Sequence, residues 1–408
     1  MPTSPPPGAR TSGDGRREAN AASVLRAVLD HGPVARSGIA RLAGLSPAAV
    51  SRQCTDLTRL GLVREVPELV AASGVGRPQI PVDLHTGDAG GPLVAGVHIG
   101  VPGSGFGLTD LRGTVVARQD FPHDGIPAAE LRERLGRALA AFLAERTPDG
   151  AKLLGVGAAI GGWVDPDLGT VVRHEALGWD HYPLGTDLRR HTGLPVRVDN
   201  HARAVARSEL LFGRPEARRS LVHLFVGNVV DAALAIAGVV HSGPRSGAGD
   251  VAHLPVPDST APCPCGRTGC LEATVSDTVL TRRAVAAGLI PEPDAGLLVD
   301  AAAAGDRRAD ALLRERARAV GRATGLLLDV LNPDLVVITE RSSTLQPAYL
   351  EEIRTAAIAH AHVCDDHQRI VVPLAGPAAL LVAAATVVLN PLLTSPLQAC
   401  RDTAAMLP

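Results

Sequence analysis

The feature that most constrains the fold is a loop in which three cysteines fall within eight residues, Cys263-Pro264-Cys265-Gly266-Arg267-Thr268-Gly269-Cys270. His253 lies ten residues before the first of them, so three thiolates and one imidazole can surround a single ion. Three sulfur ligands and one nitrogen complete the tetrahedral shell of a structural zinc and leave no position for a reactive water. The sequence therefore predicts a structural Zn²⁺ held by His253, Cys263, Cys265 and Cys270. The alternative, three free buried cysteines, does not call for such close spacing.

The remaining composition indicates a cytoplasmic protein. Residues 1–17 are rich in Pro, Gly, Ser and Arg and contain no apolar stretch, so they do not resemble a secretory signal, and we expect a disordered tail. Clustered cysteines without an export signal favour metal over disulfides, and the other three, Cys54, Cys364 and Cys400, are scattered. No run of about 18 or more uncharged apolar residues is evident, so no membrane partner is expected.

Residues 18–85 show the pattern of a winged helix-turn-helix domain, three helices followed by a small β hairpin. One face of the first helix carries the apolar residues Val24, Leu25, Val28 and Leu29. Ser37 is a candidate cap for a second short helix over 38–43, and Ser46 is a candidate cap for a third helix that begins at Pro47. The predicted strands of the hairpin are 62–65 and 79–84, on either side of a Gly-rich loop.

The second helix of a helix-turn-helix lies in the major groove and presents its first turns to the bases. The residues that we predict to contact DNA are Ser46, Ala48, Ser51, Arg52, Gln53, Arg59 and Arg77. Arg52 could bond guanine and Gln53 adenine, whereas Arg59 would hold a phosphate without reading sequence. Arg77 stands where a wing tip is expected and could enter the minor groove, although its segment could equally be a linker. The net charge of the whole chain is −2, so any basic surface must be local.

From about residue 91 onward, strands alternate with helices, which predicts an α/β fold. The pattern occurs twice, and 408 residues are too many for one ordinary core. We therefore expect a first lobe over 91–200 and a second lobe over 201–398 that carries the zinc loop, with a C-terminal helix that can return to the first lobe. Two α/β lobes with a cleft between them suit a fold that binds a nucleotide and a sugar.

The cysteine loop, followed by Leu271-Glu272 and preceded by His253, resembles the signature of the ROK family of repressors, open reading frames and sugar kinases. The segments Gly155-Val156-Gly157, Leu177-Gly178-Trp179 and Leu194-Pro195-Val196 are also similar to the family pattern. The resemblance implies a two-lobed, actin-like and ribonuclease-H-like α/β domain behind the winged helix. In this family an N-terminal winged helix separates the repressors from the free-standing kinases.

Three elements that hold nucleotide in the family's kinases are altered. The Asp-Ile-Gly-Gly-Thr loop corresponds to His98-Ile99-Gly100-Val101-Pro102, in which the proline has no amide to donate to phosphate. The Gly-Thr-Gly loop corresponds to Gly227-Asn228-Val229, and a later Gly-Gly corresponds to Glu340-Arg341. The family's catalytic aspartate, which takes the proton from the sugar hydroxyl, is replaced by His201. The resemblance therefore implies a domain that is not an enzyme and binds no ATP.

The sugar contacts of the family are partly retained. By resemblance, Asn200, Asp250, His253 and Glu272 match residues that hydrogen-bond sugar hydroxyls. The alternative is ordinary polar structure, with Glu272 bracing the zinc loop. His201 could favour an anionic ligand, so both a sugar and a sugar phosphate remain candidate effectors.

The sequence is compatible with three functions. The first is a ROK-type DNA-binding transcriptional regulator, expected to be a repressor and a homodimer or higher homo-oligomer on a two-fold double-stranded operator. The second is an ATP-dependent sugar kinase with an accessory winged helix. The third is a protein-binding module whose winged helix docks on a partner.

Overall fold

The computed structural model describes residues 13–69, 79–257 and 259–406 of the 408-residue chain. Its N-terminal domain has three helices and a three-stranded sheet of order β1-β3-β2. Its elements are α1 Gly13–His31, β1 Val34–Ala35, α2 Arg36–Ala43, α3 Pro47–Arg59, β2 Val63–Glu65 and β3 Pro81–Leu84. The predicted winged helix-turn-helix is confirmed as a fold, and the predicted wing tip with Arg77 lies outside the described residues.

Two local expectations in this domain are wrong. Helix α1 begins at Gly13, inside the predicted tail, and Arg17 Nη2 lies 2.8 Å from Asp56 Oδ2 of α3, an ion pair that a compositional argument could not anticipate. Helix α2 begins at Arg36 with Ala35 as its N-cap residue, so Ser37 lies within the first turn and does not cap it. The Ser37 hydroxyl instead donates to Gln79 Oε1.

The first lobe is built on a five-stranded sheet of order β11-β7-β4-β5-β6 and a small antiparallel sheet of order β10-β9-β8. Its elements are β4 Leu93–Ile99, β5 Gly103–Thr109, β6 Val115–Pro122, α4 Ala128–Arg146, β7 Leu153–Ile160, β8 Trp163–Asp165, β9 Thr170–His174, β10 Trp179–Tyr182, α5 Leu184–Thr192 and β11 Val196–Asn200. Strands β4, β7 and β11 are parallel. Their carboxyl ends therefore meet at one edge, the usual place for a ligand in an open α/β sheet.

The second lobe repeats this plan with a five-stranded sheet of order β14-β13-β12-β15-β16. Its elements are α6 His201–Phe212, β12 Ser220–Val226, β13 Val230–Ile236, β14 Val239–His241, α7 Leu271–Val275, α8 Asp277–Ala286, α9 Ala295–Ala303, α10 Arg307–Leu331, β15 Leu335–Glu340, α11 Arg341–Leu345, α12 Pro347–His360 and β16 Ile370–Val371. The loop that carries the cysteines runs between β14 and α7. The two-lobed α/β fold class predicted from the sequence is confirmed.

Two C-terminal helices complete the chain, α13 Ala379–Thr394 and α14 Pro396–Met406. Helix α13 packs on β4, β7 and α6, so the chain returns to the first lobe. The packing is close because Gly157 has no side chain: a Cβ there would lie 2.0 Å from Ala384 O. The expectation that no long uncharged apolar run occurs is wrong, because the segment Gly376–Thr394 has the length and apolar composition of a membrane span, yet 61% of its apolar window is buried inside the protein. It has the environment of a core helix.

The N-terminal domain and the first lobe share one hydrophobic core. Apolar side chains of α1 and α3 belong to the same cluster as Leu111, Leu154 and the α13 residues Leu389 and Leu392. Glu18 of α1 accepts hydrogen bonds from the backbone amides of Leu397 and Gln398 at the start of α14. The winged helix is therefore packed against the α/β domain.

Candidate functional sites

Helix α3 presents an exposed face at the three- and four-residue spacing of a helix. Ser46 Oγ accepts the amide of Ala49 at 3.3 Å and Pro47 occupies the first turn, as the sequence predicts. Ala48, Ser51, Arg52 and Arg59 are exposed on this helix. Arg52 has no hydrogen-bond or ion-pair partner within the ranges that the structure describes, so its guanidinium is available to a ligand.

The prediction that Gln53 reads a base is wrong. Its side chain is 2% exposed and lies on the buried face of α3 with Val50 and Leu57. Position 53 is three residues after Val50 and four before Leu57, and the helical period places all three on the core side. Thr55, four residues after Ser51, is exposed instead. The same spacing in the sequence could have identified it.

Arg59 combines an intramolecular contact with high exposure. Its Nη1 lies 3.1 Å from Asp56 Oδ1, and its side chain is 72% exposed. Asp56 also receives Arg17, so this carboxylate is shared by two cations. One edge of the Arg59 guanidinium therefore remains free for a phosphate.

The four predicted metal ligands come together in the loop before α7. Their ligand atoms lie within 4.8 Å of one another. Cys263 Sγ is 3.6 Å from His253 Nδ1, and Cys265 Sγ is 3.7 Å from Cys270 Sγ. A tetrahedral ion with Zn–S of about 2.3 Å and Zn–N of about 2.0 Å would separate its ligands by roughly 3.5–3.8 Å. The donor set and these distances fit a metal of the zinc type.

Backbone turns hold the loop in this shape. Gly266 and Gly269 have φ of 86° and 72°, a region that other residues rarely adopt. The amide of Cys263 donates to Arg267 O at 2.9 Å, and Gly269 donates to Ala261 O at 2.8 Å. Arg267 Nε lies 3.4 Å from Cys265 Sγ, and its hydrogen bond lowers the pKa of this exposed thiol to about 6. A thiolate is the form in which cysteine binds a metal.

A cleft of about 810 Å³ lies between the two lobes beside the cysteine loop. The four predicted ligand-binding residues line it: Asn200, Asp250, His253 and Glu272. Asp250 is exposed, whereas Glu272 is partly buried and accepts the amide of Val230 at 3.0 Å. His253 thus borders both the cleft and the cysteine cluster, with Nδ1 toward Cys263.

Most hydrogen-bonding groups of the Asn200 side chain have partners inside the protein. Its Oδ1 caps α6 by accepting the amides of Ala202 and Arg203, and its Nδ2 donates to Gly162 O and to Asp231 Oδ2 at 2.9 and 3.1 Å. Asn200 therefore has a structural role as the cap of α6, as expected of an ordinary polar residue. It still forms part of the cleft wall.

Asp231, on β13, is the cleft residue that the sequence analysis missed. Its Oδ2 accepts from His201 Nε2 at 3.1 Å, from Asn200 Nδ2 and from the Gly162 amide. Burial opposes its ionisation, but the hydrogen bond and positive charge of His201 and the hydrogen bond of Asn200 hold its pKa below the usual value. Asp231 belongs to no sequence motif and lies within an apolar strand. Its pairing with His201 therefore could not be predicted from the sequence.

His201 is the centre of a buried ring cluster. It is 2% exposed, stacks on His98 with centroids 5.8 Å apart, and lies 3.8 Å from the Phe225 centroid. Burial, with His201 nearby, lowers the pKa of His98 to about 3, so His98 is neutral at pH 7. His201 Nδ1 and His98 Nε2 are buried without a partner in the described residues.

The three altered loops line a second cavity of about 450 Å³, which includes residues from 98–102, 227–229 and 340–341. Glu340 is 2% exposed and turns inward to cap α11. Its Oε1 lies 2.8 Å from Arg316 Nη1, and its Oε2 accepts the Ser343 amide at 2.7 Å. The Glu340 carboxylate therefore accepts the backbone amides at the start of α11.

A sequence model of the ROK family matches residues 94–389, and one of the MarR family matches residues 18–69. A protein named a transcriptional regulator from Mycobacterium tuberculosis is 36% identical over 356 residues, which are 82% of this chain and 77% of that protein. The xylose repressor of Caldicellulosiruptor bescii is 28% identical over 356 residues, covering 83% of this chain and 87% of its own length.

Among solved structures, a ROK family transcriptional regulator described as a homologue of Escherichia coli Mlc has a TM-score of 0.71 and 21% identity. It covers 93% of this chain and 99% of its own, so the likeness in fold extends over nearly the whole molecule. A ROK family glucokinase from Streptomyces griseus, in complex with glucose and AMPPNP, has a TM-score of 0.63 and 25% identity and covers 72% of this chain and 98% of its own.

Proposed function

The chain belongs to the ROK family, and from that premise we propose that it is a sequence-specific DNA-binding transcriptional regulator that acts as a repressor. The observation that carries the proposal is the exposed face of α3, on which Ser51 and Arg52 stand free on a capped helix. Helices of this kind read base edges in the major groove. The names of the relatives, a transcriptional regulator and a xylose repressor, support the same function.

Selection from a random duplex library followed by gel-shift titration tests the proposal. We expect enrichment of a two-fold sequence bound by a homodimer, with half-sites about one helical turn apart. Non-specific binding alone, with no enriched sequence, would refute a sequence-specific regulator and would favour the protein-binding module.

The metal centre has a structural role in this proposal. His253, Cys263, Cys265 and Cys270 would hold one zinc, and four protein ligands leave no site for a reactive water. The loop between β14 and α7 is rich in Gly and Pro, and metal binding would supply the free energy to order it. The metal would thereby fix His253 and Glu272 beside the cleft.

The cleft would take a sugar effector rather than a substrate. Phosphoryl transfer depends on backbone amides and a base positioned around the transferred group. Here the Ser342 and Ser343 amides donate to Glu340, Pro102 has no amide, and His201 is engaged by Asp231. We infer that the domain has lost kinase activity and binds no ATP.

A sugar kinase with an accessory winged helix is the second candidate, favoured by the likeness to a glucokinase and by the two-lobed cleft. A coupled assay of ADP release with glucose, xylose and N-acetylglucosamine separates the two. We expect no turnover, and none after His201→Asp, because Glu340 and Pro102 remain. Turnover by the unmodified protein would show that it is a sugar kinase.

A further inference from the structure

The inner wall of the cleft is acidic, and its charge follows from where Asp231 lies. The Asp231 side chain is 15% exposed and lines the cleft. All three protein donors to this carboxylate reach Oδ2, and Oδ1 has none among the residues that the structure describes. The carboxylate is thus oriented from one side and has one oxygen open to a ligand.

The position of this carboxylate is related to the substitution at His201. His201 stands where the family's kinases carry an aspartate, and β13 supplies a carboxylate 3.1 Å from its Nε2. An acidic group is therefore present beside this position, although it comes from β13 and not from the start of α6. Because Asp231 accepts from His201 Nε2, the other ring nitrogen, Nδ1, remains. His201 is 2% exposed, and its Nδ1 has no partner in the described chain.

The His201 imidazole binds Oδ2 on the protein side of Asp231, and the described arginines of the cleft place no buried, unpaired cation beside Oδ1. Arg203 is buried, and its three guanidinium nitrogens contact Asp199, Ser246 O and Val164 O. Arg173 pairs with Glu175 at 2.9 Å. The two others lie toward solvent: Arg245 is exposed over the Trp163 ring, and Arg282 is exposed.

Glu272 adds a second carboxylate to the inner wall. It is partly buried, and its Oε2 accepts the amide of Val230, the residue before Asp231. Among the described residues, buried Arg203 and His201 already have acidic partners, so a phosphate group placed here would face two carboxylates without a free buried cation, which is costly at low dielectric. A hydroxyl group would instead donate a charge-assisted hydrogen bond to Asp231 Oδ1.

We propose that Asp231 is the specificity-determining acceptor of the cleft, and that it selects an uncharged polyhydroxy ligand, a free sugar, over the phosphate ester of that sugar. This inference rests on the proposed sugar-sensing function and narrows the two effector classes that the sequence left open. It also reverses the expectation that His201 favours an anionic ligand, because the Asp231 carboxylate is hydrogen-bonded to the His201 imidazole and would repel an anion.

Calorimetric titration of the full-length, zinc-loaded protein tests the inference. The probes are D-xylose, D-glucose and N-acetyl-D-glucosamine, with glucose 6-phosphate and N-acetylglucosamine 6-phosphate as their charged counterparts. In the unmodified protein we expect a free sugar to bind at least about tenfold more tightly than its ester. Tighter binding of an ester would overturn the inference while leaving sugar sensing intact, and no binding by either class would overturn both.

Asp231→Asn removes the charge and keeps the shape. We expect the free sugar to lose about tenfold or more in affinity, because a hydrogen bond to a charged acceptor is lost, and the ratio between sugar and ester to fall toward one. Asp120→Asn, exposed on β6 away from the cleft, is the matched control and should change neither affinity. An unchanged ratio in Asp231→Asn protein with normal zinc content would overturn the assignment. The comparison in the unmodified protein decides the matter if this variant does not fold.

Discussion

Arg218 and Asp30 join the second lobe to the first helix of the DNA-binding domain through two hydrogen bonds: Nη1 lies 3.0 Å from Oδ2 and Nη2 lies 3.1 Å from Oδ1. Asp30 also pairs with Arg26, whose Nη1 is 3.3 Å from Leu210 O near the end of α6. The other end of α6 is capped by Asn200 in the cleft. One helix of 12 residues, about 18 Å long, therefore connects the cleft between the lobes to helix α1.

We expect a double-mutant cycle between Asp30→Ala and Arg218→Ala to give an interaction free energy of about 0.5–1 kcal/mol in urea unfolding. Both side chains are partly exposed, at 22% and 37%, which limits the strength of the pair. A cycle between Arg218→Ala and the remote Glu130→Ala on α4 is the control and should give no coupling. Zero interaction for the first pair would show that the two domains do not dock in this way in solution.

Arg52→Ala should weaken binding to the selected operator by about 1–3 kcal/mol, because an exposed arginine that bonds a guanine is lost. Arg59→Ala should weaken specific and non-specific duplexes alike, since a phosphate contact carries no sequence information. Gel-shift titration against the operator and a scrambled duplex at fixed salt separates the two effects.

Gln53→Leu is the matched control for this helix. Its side chain is buried and Gln53 Oε1 has no partner in the described chain, so an apolar residue of similar size should keep operator affinity and retain or raise the free energy of unfolding. A loss of sequence preference in Gln53→Leu protein would show that α3 is rotated relative to the arrangement described above.

Cys265→Ser should reduce the zinc content from about one ion per chain to near zero and lower the thermal midpoint, because the loop before α7 depends on four ligands. Cys400→Ser, outside the cluster, should retain the metal. Elemental analysis and thermal unfolding measure both. Unmodified protein that contains no zinc while its cysteines are reduced would contradict the metal centre.

The zinc-free variant should also lose its response to the free sugar, since His253 and Glu272 border the cleft from this loop. Titration with the sugar that binds the unmodified protein measures this. A full response without zinc would limit the metal to stabilising the loop.

Acid should destabilise the fold through three histidines whose pKa the folded protein lowers, His98, His174 and His223. Burial lowers the pKa of His98 and His223 to about 3 and that of His174 to about 4, whereas an unfolded histidine titrates near about 6.5. Between these values the unfolded chain binds more protons, so stability is retained at pH 7 and falls as the pH drops below about 6.5. Each group should contribute a loss on the order of 1 kcal/mol at about pH 5.5.

Urea unfolding at pH 7 and pH 5.5, with zinc content checked at both, measures this dependence. His98→Gln should remove about one third of the loss, while exposed His181→Gln is the control and should leave it unchanged. Equal stability of the unmodified protein at the two pH values would contradict the neutral state of these rings in the folded protein.

Much of the architecture was determined by the sequence alone, because its signals are local. The close spacing of Cys263, Cys265 and Cys270 permits one ion to bind all three, and Ser46-Pro47 begins α3 by capping and a preset φ. Alternating apolar segments predicted two α/β lobes, and the family resemblance identified their arrangement. Each inference used residues that lie close together along the chain or a motif with a single geometry.

Tertiary packing decided what the local signals left open. Gln53 had the chemistry to read a base, but helical phase placed it against the core with Val50 and Leu57. Asp231 belongs to the cleft because β13 runs beside β12 and brings its carboxylate to His201, 30 residues away in sequence. The docking of α1 on α13 and α14 unites residues more than 350 positions apart. Such contacts depend on how whole elements pack, because burial and charge pairing are set in three dimensions rather than along the chain.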